Sequence, residues 1–329
     1  MKNHAICVLG MHRSGTSALT GVLNLLGVNL GKSLLPPEPG DNDKGFFEHA
    51  DILDIHERLL AELGSSWYDV LRLPKSWWTS ERVRPFRTEI IRILRRDFAT
   101  CPIWAIKDPR LCRLAPLWLE ILDELGCQTA FILTHRHPSE VAHSLERRNE
   151  LARIKSAFLW VDHNLSAEYW TRGRKRIFVS YDQLLRDPRS TAEKITRVAS
   201  HQLPSPTEGT MKQVEQFLTP NLRHHIHPED EPVPEFGVWA SLVPETFQVL
   251  TQACRGEIEK IDARFDHLRQ EYDALVSSFD PLLVSHIADL QKQLNESKSN
   301  PVWRDWKLLQ PFRRAKRRLK RFAGGTARR

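Results

Sequence analysis

Short, fully apolar runs alternate along the chain with longer stretches in which apolar residues recur every three or four positions. Residues 4–10, 103–107 ("IWAIK"), 129–136 ("TAFILTHR") and 176–181 ("RIFVSY") have the length and composition of buried strands. Helical periodicity fills 15–26, 48–63, 86–98, 115–125, 138–149, 156–172 and 189–200. Strands without a polar face, separated by helices, predict a parallel sheet covered on both sides. The expected fold class is α/β, a three-layer P-loop-like fold with a C-terminal helical extension. Ligands in such sheets bind beyond the carboxyl ends of the strands.

The pattern changes after residue 200. Residues 202–245 are rich in Pro ("QLPSP", "HPEDEPVPEF") and read as surface loops. From Cys254 the apolar steps run 4,3,4,3 through Ile258, Ile261, Phe265, Leu268, Tyr272 and Leu275. "SSFDP" at 277–281 interrupts the run, and Leu283, Ile287, Leu290 and Leu294 resume it. This seam fits either a coiled coil, with a homodimer as partner, or a helix folded back on the body. The expected organisation is a body at 1–245, a helical extension at 246–298 and a basic tail at 299–329.

Charge bears on the tail alone. The net charge of +7 over 329 residues hides an uneven distribution: residues 301–329 hold 11 Lys/Arg and one Asp. The first 300 residues then hold 37 basic and 40 acidic side chains. In "WRDWKLLQPFRRAKRRLKRF" apolar and basic residues alternate at helical spacing. That suits an anionic membrane surface, with an acidic partner, nucleic acid or a plain solvated tail as alternatives. No run of 18 apolar residues exists, and the start carries only a short apolar stretch. A cytoplasmic protein, peripheral to a membrane through its tail, is expected. The five Cys show no metal-ligand spacing, so neither zinc nor a disulfide framework is expected.

The chemistry concentrates at strand ends. "GMHRSGTS" (10–17) follows the first strand and opens the first helix. The amides at a helix start lack internal partners, and a Gly-rich turn aims them at a phosphate. His12, Arg13, Ser14, Gly15, Thr16 and Ser17 are the candidate anion-binding residues. The Lys that precedes the Ser/Thr in nucleotide-triphosphate loops is absent; Arg13 is the nearest cation. The strand at 129–136 ends "THRHP" where a Mg²⁺-binding Asp would be needed, so a metal-independent transfer fits better. Arg136 and Ser144, eight residues apart, form a second candidate anion site.

With these motifs in order, the sequence resembles the sulfotransferases that use 3′-phosphoadenosine-5′-phosphosulfate (PAPS). The resemblance rests on Arg13-Ser14-Gly15-Thr16-Ser17, on Arg136…Ser144 and on "VSYDQLLRDPRSTAEKI" (179–195). "NDKGFFEHADILDIHERLLAELGSSWYD" and "WAIKDPRLCRLAPLW" are similar to the bacterial-type branch of that family. It implies PAPS as donor, the 5′-phosphosulfate on the first loop, the 3′-phosphate on Arg136 and Ser144, and Tyr181 near the adenine. Arg13 would then neutralise the leaving group, with Lys107 as a second cation. The family's Gly-rich C-terminal loop has no match; Arg223 or His224 would replace it. Glu48 is the candidate base, its pKa raised beside Phe46 and Phe47, and His49 and Asp108 are its rivals. Trp67, Trp77 and Trp78, with the bacterial-type resemblance, lean the acceptor toward a glycan or glycoconjugate. A P-loop small-molecule kinase and a catalytically silent nucleotide-binding scaffold are the competing functions.

Overall fold

The structure is a computed structural model that describes residues 3–38, 42, 44–199, 203, 205–218, 237, 241–256 and 258–299. Arg223, His224 and the basic tail lie outside the described residues.

The chain runs β1 (His4–Leu9), α1 (Thr16–Leu25), α2 (Ala50–Glu62), α3 (Arg84–Phe98), β2 (Ile103–Lys107) and α4 (Leu111–Glu124). It continues through β3 (Gln128–His135), α5 (Pro138–Asn149), α6 (Arg153–Thr171), β4 (Arg176–Ser180), α7 (Tyr181–Arg186) and α8 (Pro188–Val198). Helices α9 (Glu208–Phe217), α10 (Leu242–Cys254) and α11 (Ile258–Ser299) follow. The four strands form one parallel sheet in the order β2-β1-β3-β4. This is the α/β class that the strand lengths predict.

Alternate strand residues face opposite layers, as the pleat requires. Ile6, Val8, Ile103, Ala105, Ile132 and Val179 join one core with α1, α8 and α9. On the other face, α4 packs on β1, α6 on β3 and α10 on β4. Both faces of the sheet are therefore dry, which explains the unbroken apolar strands. Because β1 has β2 on one side and β3 on the other, the connections leave it in opposite directions. A crevice opens at its carboxyl end.

Two expectations are corrected. Residues 202–245 are not loops throughout: Thr207 accepts a hydrogen bond from the Thr210 amide (3.1 Å) and caps α9. Phe217 at its end packs so tightly on Gly21 of α1 that a Cβ there would lie 2.2 Å from the ring. The "SSFDP" stretch does not interrupt the last helix, because α11 continues through Pro281. By its contacts the chain divides at Tyr272: residues up to Tyr272 form one compact unit, and the described residues from Asp273 belong to a second. Ile261, Phe265, Leu268 and Tyr272 are buried, Phe265 stacks on Phe178, and the Tyr272 hydroxyl donates to Asp162 (2.6 Å). The seam up to Tyr272 is thus a helix packed on the body. In the second unit Leu282, Val284 and Leu290 of α11 are exposed.

Candidate active site

The loop after β1 has the backbone of an anion cradle. Gly10 and Gly15 have φ of +158° and +84°, and Arg13 is left-handed at +68°. At Gly10 a Cβ would meet the Thr134 carbonyl at 2.4 Å, and at Gly15 the Tyr181 ring at 2.2 Å. Only glycine lets β3 and Tyr181 approach the loop this closely. The first intrahelical bond runs from the Leu19 amide to the Gly15 carbonyl (3.0 Å), which leaves the preceding amides pointing out of the helix start. Ser14 Oγ is buried with no partner among the described residues. An unfilled donor at the centre of the turn fits a phosphate-type ligand.

The two anion motifs, 131 residues apart, meet. Arg13 Nε donates to Ser144 Oγ (2.7 Å), and Arg136 Nη1 lies 3.4 Å from the Arg13 carbonyl. Buried Glu140, one turn into α5, accepts from Arg136 Nε (2.5 Å) and fixes the guanidinium. Arg136 also lies over the Tyr181 ring, 5.0 Å from its centroid. Arg13 is therefore turned toward Ser144. Tyr181 bridges Arg136 and Gly15 as part of the wall of the loop.

A different cation serves the other side. Lys107, the last residue of β2, is buried, and its Nζ donates to Ser17 Oγ (3.0 Å), the Phe46 carbonyl (2.6 Å) and Glu48 Oε1 (2.5 Å). The left-handed φ of Phe47 (+59°) accompanies the inward turn of the Phe46 carbonyl. A strained residue of this kind costs on the order of 1–3 kcal/mol and persists where surrounding structure holds it. Lys107 thus stands beside the loop's last hydroxyl, Ser17, next to the position from which the loop's own lysine is missing. Burial pushes the ammonium of Lys107 down, and Glu48 opposes that shift.

The three candidate bases end in three environments. Glu48 lines a cleft of about 440 Å³ together with His12, Phe46, Trp67, Arg110 and Arg148. Its Oε2 is buried without a partner among the described residues. Burial pushes the Glu48 carboxyl up against the opposing pull of Lys107. His49 instead gives Nε2 to Asp97 (2.9 Å) and packs under Gly31 and Phe98, away from the cleft. Asp108 is enclosed by the His56 ring (2.8 Å), the Arg110 amide (2.9 Å) and the Arg110 guanidinium (2.9 Å). Burial alone would raise its pKa, but Arg110 and His56 outweigh it and hold Asp108 well below the usual carboxylate range. Trp118 donates to His56 Nε2 (2.8 Å), so the other ring nitrogen carries the proton given to Asp108. Neither His49 nor Asp108 lines the cleft, although His49 Nδ1, like Glu48 Oε2, is buried without a partner among the described residues.

Sequence reasoning missed Arg110 and Arg113. Arg110 also pairs with Glu57 and lines the cleft. Arg113 holds the Ser66 and Leu71 carbonyls (both 2.7 Å) and so pins the segment that carries Trp67. The "KDPRLCR" run was the available signal. Only the fold shows that its two arginines reach back to residues 57–71. Of the three tryptophans, Trp67 reaches the cleft, while Trp77 and Trp78 pack on each other and Trp78 on Trp170.

No family model matches the chain, and no curated protein does. Among solved structures it is similar to the sulfotransferase domain from the Synechococcus PCC 7002 olefin synthase. The identity is 17%, the TM-score is 0.44, and 75% of this chain and 96% of that one are covered. It is also similar to the sulfotransferase domain from the curacin biosynthetic pathway, at 14% identity and a TM-score of 0.40, covering 76% and 96%. Likenesses this distant assign neither family nor substrate to the chain.

Proposed function

We propose that the protein is a PAPS-dependent sulfotransferase that sulfates a hydroxyl (or an amine) of a carbohydrate or glycoconjugate. One observation carries this reading. Lys107 joins Ser17 of the loop to Glu48, a residue that lines a cleft and whose second oxygen is buried without a partner among the described residues.

When bound, the donor supplies an electrophilic sulfur; its bond to the phosphate oxygen breaks, with the electron pair, as the acceptor oxygen bonds to it. The loop amides, Ser14, Thr16 and Ser17 hold the donor's 5′ end. Arg136, fixed by Glu140, and Ser144 hold its 3′-phosphate, with Arg13 reaching between the two anion sites. Lys107 is the buried cation nearest the transfer point and offsets the charge that grows there. Glu48 takes the acceptor proton, and its raised pKa makes it a stronger base than a solvated carboxylate. Asp108 positions Arg110, and so shapes the cleft from outside it. The sites are supplied with cations by side chains, and the transfer is metal-independent in this reading. Trp67 offers an aromatic face for a sugar ring. Two accessory expectations stay with it: residues 301–329 on an anionic membrane surface, and a homodimer through the exposed apolar positions of α11 in the second unit.

The test is calorimetric titration with adenosine 3′,5′-bisphosphate and, separately, with ATP–Mg²⁺. The bisphosphate is expected to bind. Arg136→Ala is expected to lose its preference for the 3′-phosphorylated nucleotide by about 10–100-fold, the worth of a charged hydrogen-bond set. Binding of ATP–Mg²⁺ without the bisphosphate overturns the proposal in favour of a kinase.

A further inference from the structure

His12 belongs to the phosphate loop, yet its ring leaves the loop in another direction. The left-handed turn at Arg13 separates the two side chains: Arg13 reaches Ser144, and His12 packs against Trp67 with ring centroids 4.2 Å apart and the planes tilted by 42°. The edge of His163 closes its other side at 6.5 Å. His12 lines the same cleft as Glu48, and its Nε2 is buried without a partner among the described residues. Two residues that line one cavity, His12 and Glu48, thus each carry a buried polar atom without a partner among the described residues. Buried polar groups are rarely left so, and a shared ligand would satisfy both.

The chemistry of that ligand follows from the charges around it. Burial first, then Arg110 and His163, keep the His12 ring well below its ordinary pKa, so it is neutral. His163 gives its Nδ1 proton to the Leu159 carbonyl (2.8 Å) and is also neutral, its pKa pushed down to about 4 mainly by burial. Arg110 is paired with Asp108 and Glu57, and Lys107 with Glu48. This inner part of the cleft therefore offers a neutral imidazole, an aromatic face and a base, with Arg110 and Lys107 paired and Arg148 lying over the Phe46 ring. Such a surface selects an uncharged ring bearing a second hydroxyl or amide.

We propose that His12 is an acceptor-specificity residue, whose Nε2 hydrogen-bonds a second uncharged polar group of the acceptor, near the hydroxyl that Glu48 deprotonates. This rests on reading the cleft as the acceptor site. It separates His12 from the donor-binding residues of its own loop.

The experiment measures transfer from radiolabelled PAPS to the p-nitrophenyl glycosides of glucose, galactose, mannose and N-acetylglucosamine. The best acceptor is then carried forward with its monodeoxy analogues. His12→Phe is expected to raise the acceptor KM about tenfold or more, with kcat within about threefold. Bisphosphate affinity by calorimetry is expected to stay within about twofold, and His12→Gln to restore part of the KM. One deoxy analogue should show the raised KM with the unaltered protein and no further rise with His12→Phe, the signature of a lost pairwise contact. An unchanged KM overturns the inference. So does weakened bisphosphate binding at constant KM, which makes His12 a donor residue. Bisphosphate binding with no transfer to any glycoside also overturns it. If the unaltered protein fails to bind the bisphosphate, the broader donor reading fails instead.

Discussion

Glu48 and Asp108 are both buried beside Lys107 at the carboxyl end of the sheet, and their surroundings divide their work. Asp108 is held by three hydrogen bonds from His56 and Arg110 and is kept ionised. Glu48 shares one oxygen with Lys107, and its other oxygen has no partner among the described residues. Burial is comparable for the two, so burial does not separate them; the number of donors does. A carboxylate whose lone pairs are all filled is a girder. One with an open oxygen in a cleft can accept a proton. Desolvation raises its basicity without filling its site.

The largest expected effect breaks this comparison at Glu48. Glu48→Gln should lower kcat by about 10²–10⁴-fold, the usual worth of a general base, with calorimetric binding of adenosine 3′,5′-bisphosphate retained. Unchanged turnover would move the base elsewhere. Asp108→Asn should act through stability, because it leaves Arg110 buried beside a neutral amide. A loss of roughly 3–5 kcal/mol in urea unfolding is expected, and the remaining folded enzyme should keep its pH profile. A shifted profile at full stability would make Asp108 chemical.

Acid titration separates the two acids by sign. The folded pKa of Asp108 is depressed, so its stabilisation is complete above the unfolded value of about 3.9 and is lost as pH falls below it. The folded pKa of Glu48 is raised, so folding disfavours its ionised form, and its contribution weakens as pH rises from about 4.3 to the folded value. Turnover, which needs ionised Glu48, should rise with pH along a limb above that ordinary glutamate value. Glu48→Gln should abolish the limb, and Asp108→Asn should leave it in place. A limb that survives Glu48→Gln sinks the assignment. The smallest effect is expected from Ser17→Ala, which removes one of three partners of Lys107. A decrease of roughly 2–10-fold in kcat/KM, about 0.5–1.5 kcal/mol, should result, with a small upward move of the Glu48 limb.

Much of the fold was legible because it rests on local rules. Strands buried on both faces must be apolar throughout, and all four strands fall within a residue or two of their expected bounds. The phosphate loop was legible for a similar reason, since glycine at positive φ and hydroxyls at a helix start mark the turn within eight residues. Helix α9 was hidden by the prolines before it, and the seam was ambiguous because a 3–4 spacing does not say what covers it. The second anion site was half legible. Arg136 and Ser144 share one strand–helix unit, but the contact from Arg13 to Ser144 crosses 131 residues.

By itself, the sequence determined the layering, the strand direction and the strand–turn–helix loop, and it offered three candidates for the proposed base. Each depends on chemistry within one element or its flanking turn. The tertiary structure decided which cation stands beside Ser17, which acid keeps an open oxygen, and where the His12 ring points. Those depend on distances between β2, the 46–48 turn and the phosphate loop, segments that meet only when the sheet assembles. The residue types were written in the chain, but solvation and partner count are properties of the assembled site. These set Lys107 beside Ser17 and gave Glu48 and Asp108 different surroundings.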